Sequence, residues 1–170
     1  SNIMILPWIP DDQLPLIFAG LMGLALLLYG LLDGLDLGVG VLMRRAESAD
    51  KDMMIASIGP FWDANETWLV LGIGLLLVAF PAAHGIILGK LYIPVAILLM
   101  GLILRGVAFD FRVKAKADHK PVWNAVFYLG SLLASLAQGF MLGHYLMNFA
   151  DTWTAYLFSG FIALCFVAGY

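Results

Sequence analysis

Long apolar runs, separated by short polar stretches, make up most of this 170-residue chain. A helix that crosses a membrane needs about 20 predominantly apolar residues. Five runs meet or approach that length, and they predict spanning helices over roughly residues 14–42, 61–80, 86–109, 122–149 and 153–170. The connections between them are short, which predicts that neighbouring helices run antiparallel in a bundle.

The fifth run is still apolar where the sequence stops, at Gly169 and Tyr170. We therefore expect this chain to be the N-terminal part of something longer. The predicted fold is an all-α, polytopic transmembrane bundle. Residues 1–150 would form a first four-helix bundle, and residues 151–170 would start the next spanning helix.

The composition agrees with a membrane protein. Hydrophobic residues make up 62% of the chain, charged residues 12%, and the mean hydropathy is +0.93. A soluble domain of this length could not bury so much apolar surface. The single cysteine, Cys165, is predicted to be buried in an apolar run, which excludes a disulfide framework and a thiolate metal cluster. Nothing in the sequence resembles a phosphate loop, a nucleophile triad or a nucleic-acid surface.

Basic residues are concentrated in two of the connections. Seven of the nine Lys and Arg residues lie between helices one and two or between helices three and four: Arg44, Arg45, Lys51, Arg112, Lys114, Lys116 and Lys120. The other connections contain none, although Lys90 lies one turn into the third helix. Because cytoplasmic loops carry the excess of Lys and Arg, both basic loops should face the cytoplasm and the N-terminus the periplasm.

Six ionisable residues interrupt or flank the apolar runs. With this orientation they fall in one layer on the cytoplasmic side, on three different helices: Asp33, Asp36, Asp63, Glu66, Arg105 and Asp110. A charged side chain at the centre of a spanning helix costs about 2.5–3.5 kcal/mol on insertion scales. Such residues usually mark paired, water-lined or proton-carrying sites, so this layer is the candidate functional site.

The first acidic pair has two interpretations. Asp33 and Asp36 are three residues apart and therefore share a helix face, beside a stripe of small residues at Gly30, Gly34 and Gly38. Such a stripe lets another backbone approach closely in lipid. The acids either hydrogen-bond that neighbour or pair with Arg105 in a structural role, or they line a hydrated proton or substrate route.

The second acidic pair lies at the start of the second helix. There the helix dipole stabilises carboxylates such as Asp63 and Glu66 by roughly 0.3–1 kcal/mol, so a structural role is credible. Together with Asn65 and Thr67, however, the two acids form a polar strip, which favours a functional role. Trp62 beside them is either an interfacial anchor or part of the wall of a cofactor pocket.

Arg105 cannot lose its charge and must find an anion or water. We expect its partner on helix one or two, with Asp36 or Asp63 as the leading candidates. Asp110, five residues further on, is poorly placed to pair with it on the same helix. A buried pair of this kind can be purely architectural.

Direct haem ligation by this chain is not expected. His144 has Met141 and Met147 about one turn to either side, and histidine and methionine are haem ligands in some cytochromes. Consecutive ligands on one helix cannot, however, reach one iron from opposite faces. The sequence therefore predicts no metal or cofactor bound directly by these residues.

Three segments together resemble a known family. They are LDGLDLGVG at 32–40, WDANETWL at 62–69 and RGVAFDFR at 105–112, in this order. They closely resemble subunit II of cytochrome bd-type quinol oxidases, and the Asn65-Glu66 form of the second segment looks more like the cyanide-insensitive branch. The helix pattern agrees with that family to the end of the chain.

This resemblance implies a multi-pass subunit of a bacterial inner-membrane complex that oxidises ubiquinol or menaquinol and reduces dioxygen to water. Haem b, haem d and the quinol site would belong to the partner, subunit I, whose haem centres need subunit II for assembly. Asp63 matches an aspartate placed in a cytoplasmic proton route to the oxygen-reducing haem. A bound quinone and a small accessory subunit are further candidates, and the family's subunit has two four-helix bundles.

The leading functional prediction is thus a non-haem oxidase subunit that conducts protons from the cytoplasm through Asp63, with Glu66, Asp33 and Asp36 as further members of the route. Arg105, Trp62, Asn65 and Asp110 are expected in structural or pairing roles. Two alternatives remain open at this point. The chain could be a proton-coupled transporter that uses the same acids, or an assembly scaffold whose polar pairs only fix helix packing.

Overall fold

The computed structural model describes residues 13–170, which are almost entirely helical and contain no strand. The α-helices of this range are α1 (Leu14–Leu42), α2 (Ser48–Ile58), α3 (Trp62–Ala79), α4 (Pro81–Lys114), α5 (Lys120–Leu146) and α6 (Trp153–Gly169). Single turns of 3₁₀ helix at Met43–Arg45 and Ala117–His119 follow α1 and precede α5. By length and composition α1, α3, α4 and α5 can each cross a membrane, and α6 is a shorter apolar helix. The all-α, multi-span prediction is confirmed.

The four long helices form a closed ring. α1 packs against α3 and α5, α4 packs mainly against α5, and a smaller contact between α3 and α4 completes the ring. α6 packs mainly against α5 and makes a smaller contact with α1. The core between the helices contains Leu37, Leu98, Leu102, Ala134 and Ala137. Large apolar side chains remain exposed on every long helix, as expected where hydrocarbon replaces water as the solvent.

The crossing of α4 and α5 depends on two facing glycines. A Cβ atom on Gly101 would lie 2.8 Å from the backbone nitrogen of Ala134 and 2.8 Å from the carbonyl oxygen of Gly130. A Cβ atom on Gly130 would lie 2.6 Å from the carbonyl oxygen of Gly101 and 2.7 Å from the backbone nitrogen of Arg105. Because these neighbours are backbone atoms, only glycine permits so close an approach. The crossing therefore sets the position of Arg105, one turn beyond Gly101.

Two features of the connections differ from the sequence-based expectations. The first basic loop contains the helix α2, which its polar sequence and short length concealed. Cys165, predicted to be buried, is exposed on the surface of this chain. An apolar run does not reveal which of its positions face outward when the surroundings are lipid.

The helix boundaries also differ at several places. α4 begins at Pro81 instead of residue 86, because proline suits the first turn of a helix and only Phe80 separates α3 from α4. α4 has non-helical angles at Leu91, three residues before its internal Pro94. The predicted fourth helix, 122–149, is observed at Lys120–Leu146, and two left-handed residues, Asn148 and Phe149, follow its end.

Candidate functional site

A buried arginine joins two acids from different helices. The Nη1 atom of Arg105 donates to Oδ1 of Asp33 at 2.6 Å, and its Nη2 atom donates to Oε2 of Glu66, also at 2.6 Å. The side chains of Arg105 and Asp33 are 1% and 0% exposed, whereas Glu66 is 29% exposed. Charge-assisted hydrogen bonds of this length are among the stronger polar contacts in proteins. One guanidinium thus links α1, α3 and α4.

Trp62 covers the guanidinium from the first turn of α3. Its ring centroid lies 5.8 Å from the Cζ atom of Arg105, within the range of a cation–π contact, and 5.2 Å from the ring centroid of Phe109. The side chain that the sequence suggested as an interfacial anchor or a cofactor wall therefore contacts the central cation of the site.

A second contact between α1 and α3 lies beside the first. The Nδ2 atom of Asn65 donates to Oδ2 of the buried Asp36 at 2.8 Å. We refer to Asp33, Asp36, Asn65, Glu66 and Arg105 as the acid cluster. The cluster contains three carboxylates and one guanidinium. If all were ionised, the negative charges would outnumber the positive charge by two.

The prediction of which acids pair with Arg105 was wrong. Its partner was expected on helix one or two with Asp36 or Asp63 as candidates, but the acids it contacts are Asp33 and Glu66. Both contacts do come from the two predicted helices. A step of three residues rotates the direction of a side chain by about 60° around a helix, so the members of each acidic pair face different neighbours.

Asp63 and Asp110 lie outside the acid cluster. Both are exposed on the surface of this chain. Asp63 is in the first turn of α3, where its carbonyl oxygen accepts a hydrogen bond from the hydroxyl of Thr67 at 3.0 Å. Of the six residues in the predicted layer, the structure thus brings four together and leaves these two at the surface.

Further polar groups extend the acid cluster into the bundle. Among residues 13–170, the buried Oδ2 of Asp33 and Nε of Arg105 have no hydrogen-bond partner. Tyr29 lies close to the Asp33 carboxylate, and its hydroxyl accepts from Nε2 of Gln138 at 2.7 Å. Tyr170 donates to Oε1 of Gln138 at 2.5 Å. Sequence reasoning missed this chain of groups, although a glutamine in the middle of an apolar run was a usable signal.

A separate polar junction ties the short helix α2 to the bundle. Arg112 donates to Oδ1 of Asp52 at 2.8 Å and to Oδ1 of Asn124 at 2.5 Å, and Nζ of Lys120 lies 3.2 Å from Oδ1 of Asp52. Hydrogen bonds from Arg112 and then from Lys120 hold the pKa of Asp52 below its usual value. The basic residues read from the sequence as an orientation signal thus also fix the position of α2.

This junction predicts a pH dependence. Because the pKa of Asp52 is lower in the folded chain than in the unfolded one, its ion pairs contribute fully above the unfolded pKa of about 3.9. The contribution is lost as the pH falls from there through the lowered pKa. The difference in Tm between the wild type and Asp52→Asn should therefore be small but constant near neutral pH, and should shrink in acid. With Asp118→Asn, an exposed acid outside the junction, no such trend is expected. A Tm difference between the wild type and Asp52→Asn that does not change with pH would contradict this account.

Within residues 13–170, no three histidine, cysteine or acidic side chains are grouped so as to hold a metal ion. His144 packs among aromatic rings, with centroids 5.5 Å from Tyr156 and 5.8 Å from Phe140.

A family model described as cytochrome bd terminal oxidase subunit II matches residues 14–170. The chain is 42% identical over 113 residues to cytochrome bd ubiquinol oxidase subunit 2 of Bacillus subtilis, covering 64% of this chain and 33% of the relative. It is 31% identical over 131 residues to cytochrome bd-I ubiquinol oxidase subunit 2 of Escherichia coli, covering 75% and 35%. The chain thus spans about a third of the length of the curated relatives it matches.

Proposed function

Because this chain belongs to the cytochrome bd terminal oxidase subunit II family, we propose that it is the N-terminal part of the non-haem subunit of a quinol:oxygen oxidoreductase. Such a complex would work in the aerobic respiratory chain of a bacterial inner membrane. Its partner would be subunit I, which would hold haem b, haem d and the site where quinol is oxidised. A small accessory subunit and a bound quinone remain part of this proposal.

The function that we assign to the chain itself is the movement and holding of protons. Reducing one dioxygen to two waters consumes four protons, and the haems supply the electron-transfer chemistry when they are bound in the partner. The chain would provide carboxylates through which protons reach that reaction from the cytoplasmic side. This role rests on the proposed orientation, with the N-terminus in the periplasm and both basic loops in the cytoplasm.

The observation that carries the proposal is the increase in burial along a row of acids. Asp63 is exposed, Glu66 lies three residues further along α3 and is 29% exposed, and Asp33, joined to Glu66 through Arg105, is 0% exposed. Asp33 and Glu66 both contact Arg105, and Asp36 beside them has the neutral Asn65 as its partner, so the three carboxylates have one guanidinium among them. In our proposal, the acid cluster relieves this surplus negative charge by holding a proton. We therefore assign Asp63 to proton entry and the acid cluster to proton holding.

The acid cluster also has a structural part in the proposal. Arg105 joins three helices of one bundle, so the same contacts that hold a proton also fix helix packing. A subunit that supports the assembly of its haem-bearing partner needs such a fixed bundle. Asp33 and Glu66 thus have both roles, whereas Asp63, which makes no ion pair within residues 13–170, has only the proton role.

Asp63→Asn in the complete complex tests the proton role. We expect quinol-dependent oxygen consumption to fall about tenfold or more, because an amide cannot pass a proton on as a carboxyl can, while the haem spectrum stays unchanged. Asp63→Glu should recover much of the activity. Asp118→Asn removes another exposed acid, outside the row, and serves as the matched control.

Normal quinol-dependent oxygen consumption by Asp63→Asn would contradict the proton role. Loss of haem in step with loss of turnover would instead assign Asp63 to assembly. The transporter alternative has its own test: oxygen uptake that survives deletion of this subunit would favour it over an oxidase subunit.

A further inference from the structure

A basic cavity lies at the end of the bundle where α1 and α4 finish and α5 begins. It measures about 710 Å³ and is partly open to its surroundings. Its polar lining includes the charged residues Arg44, Lys51, Asp52, Arg112 and Lys120, together with Ser48, Asn124 and Tyr128. None of these residues belongs to the acid cluster, and the proposed proton role does not use them.

The charges of the cavity are unbalanced. Four cations face one carboxylate, Asp52, which is already shared by Arg112 and Lys120. Arg44 stacks over the ring of Tyr128 at 5.4 Å, and within residues 13–170 neither Arg44 nor Lys51 forms an ion pair. The cavity therefore has an excess of positive charge with donors that are free to bind an anion.

Part of the cavity lining is apolar. Met43, Ala125 and Leu129 line the cavity together with the charged side chains. Leu129, which lies a little over two turns into α5, is 50% exposed and forms part of the outer apolar surface of that helix. The cavity thus joins a cationic wall at the end of the spanning helices to a surface suited to hydrocarbon. A free ion would use only the first of these, whereas a lipid uses both.

We propose that this cavity binds the phosphodiester headgroup of an anionic membrane lipid, with its acyl chains lying along the exposed face of α5 beside Leu129. Arg44 and Lys51 contact the phosphate, and the Asp52–Arg112 pair holds the wall in place. Basic pockets between spanning helices commonly recognise anionic headgroups in this way. The bound lipid would fasten the α2 segment to the membrane surface.

The test uses the complete complex in nanodiscs of phosphatidylcholine with a minor fraction of phosphatidylglycerol. Native mass spectrometry counts the phosphatidylglycerol retained by the wild type and by Arg44→Gln/Lys51→Gln. Lys114→Gln/Lys116→Gln removes the same charge from the neighbouring loop without touching the cavity and is the control. We expect affinity for one phosphatidylglycerol to fall about tenfold in the cavity variant and to stay unchanged in the control. The haem spectrum confirms that both variants are assembled.

Two further results would overturn the proposal. An equal loss of affinity for phosphatidylglycerol in the control and the cavity variant would mean that the lipid is held by general surface attraction. If the wild type retained no lipid tightly, other protein segments would fill the cavity. Competition with inorganic phosphate distinguishes a lipid headgroup from a free ion as the bound anion. Displacement of phosphatidylglycerol by phosphate at low concentration would identify a site for the free ion, whereas retention of the lipid supports the membrane headgroup.

Discussion

Arg105→Met is expected to prevent stable assembly of the proposed oxidase complex. The guanidinium is the shared partner of Asp33 and Glu66, and its removal leaves the fully buried Asp33 with no opposite charge. Breaking a buried ion pair by removing one partner typically costs about 3–5 kcal/mol, a large part of the stability of a small bundle. The expected result is loss of most of the haem-containing complex from the membrane and a marked decrease in Tm of the remainder.

The controls for Arg105→Met follow from the same geometry. Arg45→Met removes an exposed arginine in the 3₁₀ turn that follows α1 and should leave both assembly and Tm unchanged. Arg105→Lys keeps the charge but lacks the planar fork that reaches two carboxylates, so an intermediate loss is expected. Combining Arg105→Met with Asp33→Asn and Glu66→Gln removes the unpaired charge and should restore part of the stability. Unchanged assembly of the single variant would disprove the structural role of Arg105.

Gly130→Val is expected to separate α4 from α5. Any Cβ atom at this position would come within 2.7 Å of backbone atoms of Gly101 and Arg105, and backbone atoms cannot rotate away as a flexible side chain can. Overpacking of a core typically costs about 1–3 kcal/mol, and a clash with a facing backbone should reach or exceed the top of that range. Because the crossing also positions Arg105, the acid cluster should be disturbed in the same variant. Both Tm and haem content should fall.

Gly89→Val provides the comparison within the helix α4, since a Cβ atom there meets nothing within 4 Å in this chain. It introduces the same β-branched side chain and the same helix propensity, and it should change Tm little. The smaller substitution Gly130→Ala should already be destabilising. If Gly130→Val and Gly89→Val gave equal Tm values, close packing at the crossing would not determine the stability of the bundle.

The fold was largely predictable because hydrocarbon imposes simple rules on length and composition. The observed spans agree with the predicted runs except where a proline or a polar segment shifts a boundary. The helix α2 was not predictable in this way, because a short polar helix has no apolar run and is held by contacts such as Asp52–Arg112, which join residues 60 positions apart. Hydropathy carries no information on pairings of that kind.

The candidate site was predictable as a set of residues but not as a set of contacts. The cost of charge in a membrane was enough to select Asp33, Asp36, Glu66 and Arg105. Which acid meets Arg105 depends on the rotation of each helix about its own axis, and that rotation follows from close packing at glycines such as Gly101. The sequence alone does not fix these angles, so Asp36 and Asp63 were equally plausible partners until the helices were placed.

The distance along the chain between Asp33 and Arg105 affects how the bundle is made. The two residues are 72 positions apart, and Glu66 also precedes Arg105, by 39 positions. At a synthesis rate of about 5–20 residues per second, Arg105 emerges from the ribosome roughly 4–15 s after Asp33. During the last 39 residues of that interval, roughly 2–8 s, the first helical hairpin contains both of the acids that contact Arg105 and no guanidinium to pair with them. The early insertion intermediate therefore contains acids without their cation, and the arrival of the second half of α4 completes the charge pairing.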